Sequence, residues 1–296
     1  MKFKLLYSLS LAAIVAGGGL MYGPADGYNA VKNDKKKPAK TGVVYSDLRE
    51  VIDTVYVTNE NLDTVRFTGA AGQFNCVNNT VHISYYVANS SLPRIQMYVD
   101  GCNAMIPMVR RHETEHARKA LMTKRLNHLS VNSRAAVAAM NEIMAPASEI
   151  IELMDYPWRT GQELKYVRPR MLPYREQIRQ IVQSRRMIGP VDFNDTQIAD
   201  LTIQYGMDAF LSSFNRGIYR HAIRQRLRPN VRYAEYTPHK QCDFIGAMFF
   251  NPEFGWWGPM WEFETQRGRV DLWRAASQQQ RDKLIALVDS VTSVCR

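Results

Sequence analysis

The sequence predicts an α+β fold, in which a small N-terminal mixed or antiparallel sheet precedes a predominantly helical region. β-branched and aromatic residues at positions 80–88, bounded by asparagine- and serine-rich turns, indicate a strand of this sheet. From position 105 onward, apolar residues recur at helical spacing. An aromatic-rich segment at 244–273, with Asn-Pro and Gly-Pro turn signals, and a closing amphipathic helix at 277–294 complete the prediction.

The N-terminal part of the folded region is predicted to contain one helix and three short strands. At positions 45–57 apolar residues have helical spacing, and Ser46 is the expected N-cap of this helix. Runs of β-branched and aromatic residues predict strands at 65–68, 80–88 and 95–99. The sheet is therefore expected to lie immediately before the long helical region.

Helices dominate the prediction for the rest of the chain. The first spans 105–126, and Ser133 is expected to cap the second, which Pro146 would interrupt or kink. A Tyr-Pro-Trp sequence at 156–158 should end that helix. The remaining segments with helical periodicity are 173–187, 195–227 and 277–294.

The composition and charge of the chain indicate an ordinary folded protein. Its 296 residues are 46% hydrophobic and 22% charged, which supplies an ample core. The net charge is +10, but seven lysines against two aspartates place +5 of it in the first 41 residues. The rest of the excess is spread along the chain, so the sequence predicts no nucleic-acid partner.

The N-terminus is predicted to direct export. Lys2 and Lys4 precede an uncharged run rich in Leu, Ala and Gly, so residues 1–25 are typical of a signal peptide. An uncleaved anchor is the alternative, because the run is close to the shortest that spans a bilayer, and it would be the chain's only membrane contact. Residues 26–42 are predicted to form a basic flexible linker before one domain, 43–296. The protein is therefore expected to be periplasmic or secreted.

Cysteine usage agrees with an exported chain. None of the four cysteines forms a Cys-x-x-Cys pair, and export would bring them into an oxidising compartment. Four cysteines allow three sets of pairings, and buried free thiols are a further alternative. We favour the disulfides that close local segments, Cys76–Cys102 and Cys242–Cys295.

One short run of residues, His112-Glu113-Thr114-Glu115-His116, carries the clearest chemical signal in the chain. Residues four apart lie on one face of a helix, so His112 and His116 can present two imidazole nitrogens to a single metal ion. Glu113 would then lie beside the metal, where it can take a proton from water. This spacing is the H-E-x-x-H signature of zinc metallopeptidases.

Because this motif lies on a predicted helix that follows a small sheet and precedes a second helix, the chain resembles the zincin-type metallopeptidases. Classes of zincin differ in the source of the third metal ligand. The metzincin pattern is absent, since Lys119 and Met122 stand where that class requires Gly and His. The segment 141–145, Asn-Glu-Ile-Met-Ala, instead resembles the gluzincin class, in which a Glu from a following helix binds the metal.

The gluzincin resemblance implies Glu142 as the third ligand. Glu149 lies seven residues further on the same helical face, so it is the runner-up ligand or a partner that orients one. Pro146 departs from the family, because an Asp or Asn often stands there to orient the first His. That orienting role would have to come from another residue, and Glu149 is our candidate.

The resemblance also implies a mechanism with one Zn²⁺ per chain, held by His112, His116 and Glu142. Glu113 would act as general base and pass the proton to the leaving amine. An extended peptide is expected to lie along an edge strand, for which 80–88 is the candidate. Many zincins add a side chain that stabilises the oxyanion, and the candidates here are Tyr205, Tyr219 and His221.

The resulting prediction is an exported zinc-dependent metallopeptidase that hydrolyses peptide bonds in a peptide or protein substrate. An envelope amidase or peptidase that acts on cell-wall peptides is one alternative. A non-catalytic exported interaction protein is another, with His112 and His116 as surface residues of a solvated helix. That alternative draws on the charges of the helix, at Arg110, Arg111, Glu115, Arg118 and Lys119.

Overall fold

The described residues form a small mixed sheet and a majority of helices, which confirms the predicted α+β class. The structure is a computed structural model that describes residues 48–68, 71–75, 80–123, 131–217 and 261–294. The predicted signal peptide and linker lie outside these residues. The chain divides into two compact units, Met1–Arg118 and Lys119–Arg296.

The described elements of the first unit alternate between strands and helices. In chain order they are β1 (Arg49–Val57), α1 (Leu62–Thr68), β2 (Gly72–Asn75), β3 (Thr80–Ala88), α2 (Pro93–Ala104) and α3 (Ile106–Thr123), whose last residues fall in the second unit. β3 has the bounds predicted from the sequence. The predicted helix at 105–126 is confirmed up to Thr123, and residues 124–126 lie outside the described residues.

β3 is the central strand of the three-stranded sheet, whose order is β1-β3-β2. β1 pairs with β3 in parallel along its whole length, and β2 pairs with it antiparallel from Gly72↔Ile83 to Asn75↔Thr80. The expectation that 80–88 is an edge strand open to a peptide is therefore wrong. The physical reason is that β3 is the most apolar strand, with Val81 and Ile83 buried, so both neighbouring strands gain most by pairing with it.

The predicted helix at 45–57 is wrong where the structure describes it, because residues 49–57 form β1. The segment is rich in β-branched residues, which lose side-chain freedom in a helix and pack well on a pleated surface. From Val51 to Tyr56 half-buried and exposed residues alternate, as a strand requires. Pairing with β3, a contact distant in sequence, decides between the two periodicities.

The predicted strands at 65–68 and 95–99 are helical in the structure, as parts of α1 and α2. Pro93 stands in the first turn of α2, where its missing N–H costs no hydrogen bond. The buried residues of α2 follow the spacing of one helical face, at Ile95, Tyr98, Val99 and Cys102. The strand predictions relied on the β-branched residues in these segments, whereas the helical spacing of the apolar residues indicates the correct structure.

The sheet of the first unit has a helix on each face. Val109 and Ala117 of α3 pack with Val81 and Ile83 of β3 in one buried apolar cluster. Tyr86 points to the opposite face, since strand side chains alternate, and its ring meets that of Tyr98 in α2 edge-on at 5.9 Å. Packing against the sheet thus fixes the position of α3.

The second unit is built on two long packed helices. Its elements are the end of α3, α4 (Val131–Thr160), a 3₁₀ turn (Pro169–Met171), α5 (Leu172–Ser184), α6 (Thr196–Asn215), β4 (Glu262–Thr265), β5 (Gly268–Asp271), α7 (Leu272–Ala275) and α8 (Gln278–Val294). The predictions of helices near 173–187 and 277–294 are confirmed. The aromatic-rich segment forms the β4–β5 hairpin where it is described, and residues 244–260 lie outside.

Helix α4 runs without interruption through Pro146 and Pro157, so the predicted break at 156–158 is wrong, as is an interruption at Pro146. A proline removes one backbone hydrogen bond, but residues around Pro146 such as Ile143 and Ile150 are fully buried. Their packing outweighs the local cost, as tertiary contacts often override helix propensity.

Helix α6 has a capping side chain at its start and a glycine with positive φ just after its end. The Asp195 side chain caps its first turn by accepting hydrogen bonds from the Gln197 and Ile198 N–H groups at 3.0 and 3.3 Å. The helix ends at Asn215, and Gly217 has a φ of 87°, which only glycine adopts without strain. The prediction that this helix continues to 227 is therefore wrong.

None of the helices in the described residues is long and apolar enough to span a bilayer.

We expect Gly206→Ala to destabilise the second unit. A Cβ at Gly206 in α6 would overlap the carbonyl oxygen of Ile143 in α4 and lie 3.1 Å from the Cβ of Ala147. The two helices would have to separate, at a cost of about 1–3 kcal/mol in the free energy of unfolding. Urea denaturation measures this loss, and Gly101→Ala, where a Cβ meets nothing within 4 Å, is the matched control. Equal stability of the two variants would contradict the expectation.

Candidate metal centre

The H-E-x-x-H run lies in the middle of α3, which starts immediately after α2. Met105 separates the two helices with a φ of −90° and a ψ of −4°. Pro107 stands in the first turn of α3, a position that proline favours. The motif is thus fully helical, and a helix is what places its two histidines on one face.

His112 and His116 converge, with their Nε2 atoms 3.1 Å apart and their ring centroids 4.8 Å apart. Two nitrogens bound to one tetrahedral zinc at about 2.0–2.1 Å are separated by roughly 3.3 Å. The two nitrogens are thus within hydrogen-bond distance of each other, and a shift of about 0.2 Å would give them the spacing that a shared metal ion imposes. Both side chains are half-buried, so they are neither core residues nor freely solvated ones. This donor set fits Zn²⁺, for which imidazole is a preferred ligand.

Glu113 lies on the sheet side of α3. It lies four positions after Val109 and four before Ala117, which both pack against β3, so the three share one helical face. Its Cγ atom would lie 2.8 Å from a Cβ built on Gly72, the first residue of β2. The carboxylate stem is consequently held between the helix and the start of an edge strand.

Glu115, the fourth residue of the motif, is buried rather than solvated. Only 2% of its surface is exposed, and its carboxylate lies 3.3 Å from the Arg111 guanidinium and 3.0 Å from that of Arg118, which is also buried. The view of α3 as a helix with one solvated charged face is therefore wrong at this point. Charges at helical spacing form ion pairs that permit burial.

Glu142, the implied third ligand, is a half-buried residue of α4 in the second unit. Within the ranges that the structure describes, no group of three or more His, Cys, Asp or Glu side chains is placed to hold a metal ion. The assignment of Glu142 stays a prediction, as does the runner-up assignment of Glu149.

Glu149 is fully buried in the second unit and takes part in a network of charged side chains. Arg168 Nη1 lies 2.9 Å from Glu149 Oε1, and the Tyr205 hydroxyl donates to Oε2 at 3.2 Å. The Arg170 Nε donates in turn to the Tyr205 oxygen at 3.3 Å. This network gives the Glu149 carboxylate a structural role that needs no metal.

Tyr205, one of the predicted oxyanion stabilisers, is buried within that network. Burial, followed by the nearby negative charge of Glu149, raises the pKa of Tyr205 above its ordinary value. The phenol therefore keeps the proton that it donates to Glu149. The other two candidates, Tyr219 and His221, lie outside the described residues.

Cys102 is buried, and it is the cysteine that the described residues include, so no disulfide is seen among them. Burial raises its pKa to about 12, so it stays protonated at neutral pH and is a poor nucleophile. The other three cysteines lie outside the described residues. The pairings Cys76–Cys102 and Cys242–Cys295 therefore stay predictions.

Sequence reasoning missed two features of this centre, the close approach of Gly72 to Glu113 and the buried ion pairs of Glu115. Each has a recognisable signal, since a glycine inside a strand pattern often marks close backbone approach, and Arg111 and Arg118 stand at helical spacing from Glu115.

Comparison with known proteins finds no family model, curated protein or solved structure that matches this chain.

We expect Arg168→Met to destabilise the second unit by about 3–5 kcal/mol, because it leaves the Glu149 charge buried without its guanidinium partner. The double variant Arg168→Met/Glu149→Gln removes both charges and should recover much of that loss. Chemical denaturation of the single and double variants measures the difference. A double variant no more stable than the single one would contradict a charge-pairing role for Glu149.

Proposed function

We propose that this chain is an exported zinc-dependent metallopeptidase. The observation that carries the proposal is the 3.1 Å separation of the His112 and His116 Nε2 atoms. Glu113, the next residue of the motif, adds a carboxylate that is half-buried beside an edge strand. Two convergent imidazoles and an adjacent carboxylate supply two of the three protein ligands and the general base that this reaction class uses.

In this proposal His112 and His116 hold the metal, and Glu142 completes the set of protein ligands. Bound Zn²⁺ would supply Lewis acidity, which acidifies water and polarises a carbonyl group. Glu113 accepts the proton that water loses and delivers it to the leaving amine. Confinement of the Glu113 stem supports this role, because a general base must stay within hydrogen-bond reach of its proton.

The peptide substrate would lie along β2 rather than β3. β3 is paired on both sides, whereas β2 pairs only with β3 within the described part of the chain. Gly72, where β2 begins, is also the point of the sheet that approaches Glu113. A peptide added to this edge by main-chain hydrogen bonds would pass close to the general base.

Export is the part of the proposal that depends on the sequence alone. Lys2, Lys4 and the uncharged run that follows them support a periplasmic or secreted destination. The substrate is accordingly a peptide or protein met outside the cytoplasm.

We expect the full-length protein to bind about one zinc per chain, measured by inductively coupled plasma mass spectrometry after dialysis. His112→Ala and His116→Ala should each abolish stoichiometric binding, because each removes one of the converging nitrogens. Loss of zinc in Glu142→Ala but not in Glu149→Ala would support the preferred third ligand, and the reverse result would replace it. Glu163→Ala removes an exposed carboxylate of the second unit and is the matched control. A wild-type protein that takes up no zinc would contradict the proposal.

Glu113→Gln should retain zinc and lose hydrolysis of fluorescently labelled casein by roughly 100-fold or more, since the amide cannot accept the proton. Casein hydrolysis and zinc content are measured on the same preparation, with Glu163→Gln as the control. Full activity of Glu113→Gln would remove the general base from the mechanism.

A further inference from the structure

The backbone conformation of Gly72 does not require a glycine. The described glycines with positive φ are Gly161, Gly189, Gly217 and Gly268, and Gly72 is not among them. It pairs with Ile83 as the first residue of β2, a position that any β-forming residue could occupy. The remaining reason for a glycine at position 72 is that the site has no room for a side chain.

The space at Gly72 is filled by α3. A Cβ at this position would lie 2.5 Å from Val109 Cγ1, 2.8 Å from Glu113 Cγ and 3.3 Å from the His82 carbonyl oxygen. The first two distances are shorter than atoms in van der Waals contact tolerate. At Gly101, by contrast, a Cβ would meet nothing within 4 Å. The contact with Glu113 therefore belongs to this site and is not general to the glycines of the unit.

Helix α3 is anchored, so it cannot easily move away from an added Cβ. The Arg110 guanidinium donates hydrogen bonds to both carboxylate oxygens of Glu50 in β1, at 2.8–3.0 Å. Val109 and Ala117 are buried against β3 on either side of Glu113 along the helix. An added atom would be accommodated mainly by the Glu113 stem and the Val109 side chain, whose torsions are softer than the anchored backbone.

We propose that Gly72 is a positioning residue for Glu113, because its missing side chain leaves the gap that holds the Glu113 stem and aims the carboxylate. The inference rests on the proposed function in that Glu113 is taken as the general base. His112 and His116 lie about 100° and 60° around the helix from Glu113, and the atoms nearest to a Cβ at Gly72 belong to neither, so an added atom displaces the base and leaves the histidine pair in place.

The first test separates the Glu113 contact from general damage, by thermal melting of the full-length protein. Gly72→Ala should lower Tm, and Gly101→Ala should not. The same Gly72→Ala change should lower Tm less in a Val109→Ala/Glu113→Ala background than in a Val109→Ala background, because the Glu113 Cγ atom that it strikes is then gone as well. An equal fall in Tm in both backgrounds would overturn the contact on which the inference depends.

The second test asks whether the contact positions the base. In Gly72→Ala/Val109→Ala the overlap with Val109 is relieved, so the shortest contact that remains is the one with Glu113. This variant should keep its zinc and its KM for labelled casein, while kcat falls roughly ten- to a hundred-fold relative to Val109→Ala. A kcat equal to that of Val109→Ala would overturn the proposal. Wild-type protein with neither zinc nor hydrolysis would overturn the proposed function instead, and the melting comparison would still decide the contact.

Discussion

The docking of α3 on the three-stranded sheet is the constraint on which the candidate centre depends. Val109 and Ala117 bury the helix against β3, and the Arg110–Glu50 ion pair fixes it to β1. Once this face is fixed, the helical period places Glu113 over the start of β2 and turns the two histidines to the adjacent flank. The geometry of the motif thus comes from packing that the motif residues themselves do not supply.

Much of this centre could be predicted because its determinants are local. The helix that carries His112 and His116, and the bounds of β3, follow from spacing and composition within short windows. β1 could not be predicted this way, because its apolar residues fit helical and strand periods equally and only pairing with β3 decides. Pro146 and the length of α6 misled the prediction for the opposite reasons. Distant packing overrode the local signal at Pro146, and Gly217 ended α6 where the apolar pattern continued.

Both units bury a glutamate among arginines, and the two cases illustrate one solution to the same energetic problem. Glu115 lies between Arg111 and Arg118 on α3, and Glu149 lies beside Arg168 in the second unit. An isolated buried carboxylate would be strongly unfavourable, whereas a paired one is tolerated and restricts the arrangement of its neighbours. Sequence patterns show such charges as solvated, since burial depends on what covers the helix and not on the helix itself.

The parallel pairing of β1 with β3 also has a consequence for the order in which the centre can assemble. Each residue of β1 pairs with the residue 31 positions later, from Arg49↔Thr80 to Val57↔Ala88, so the sheet cannot form before the chain is available through β3. A chain still in an extended state would carry the complete His-Glu-Thr-Glu-His run without the sheet that orders it. Ordering of the motif on the sheet is thereby coupled to tertiary folding, and in the proposed peptidase this coupling would delay hydrolysis until the chain has folded.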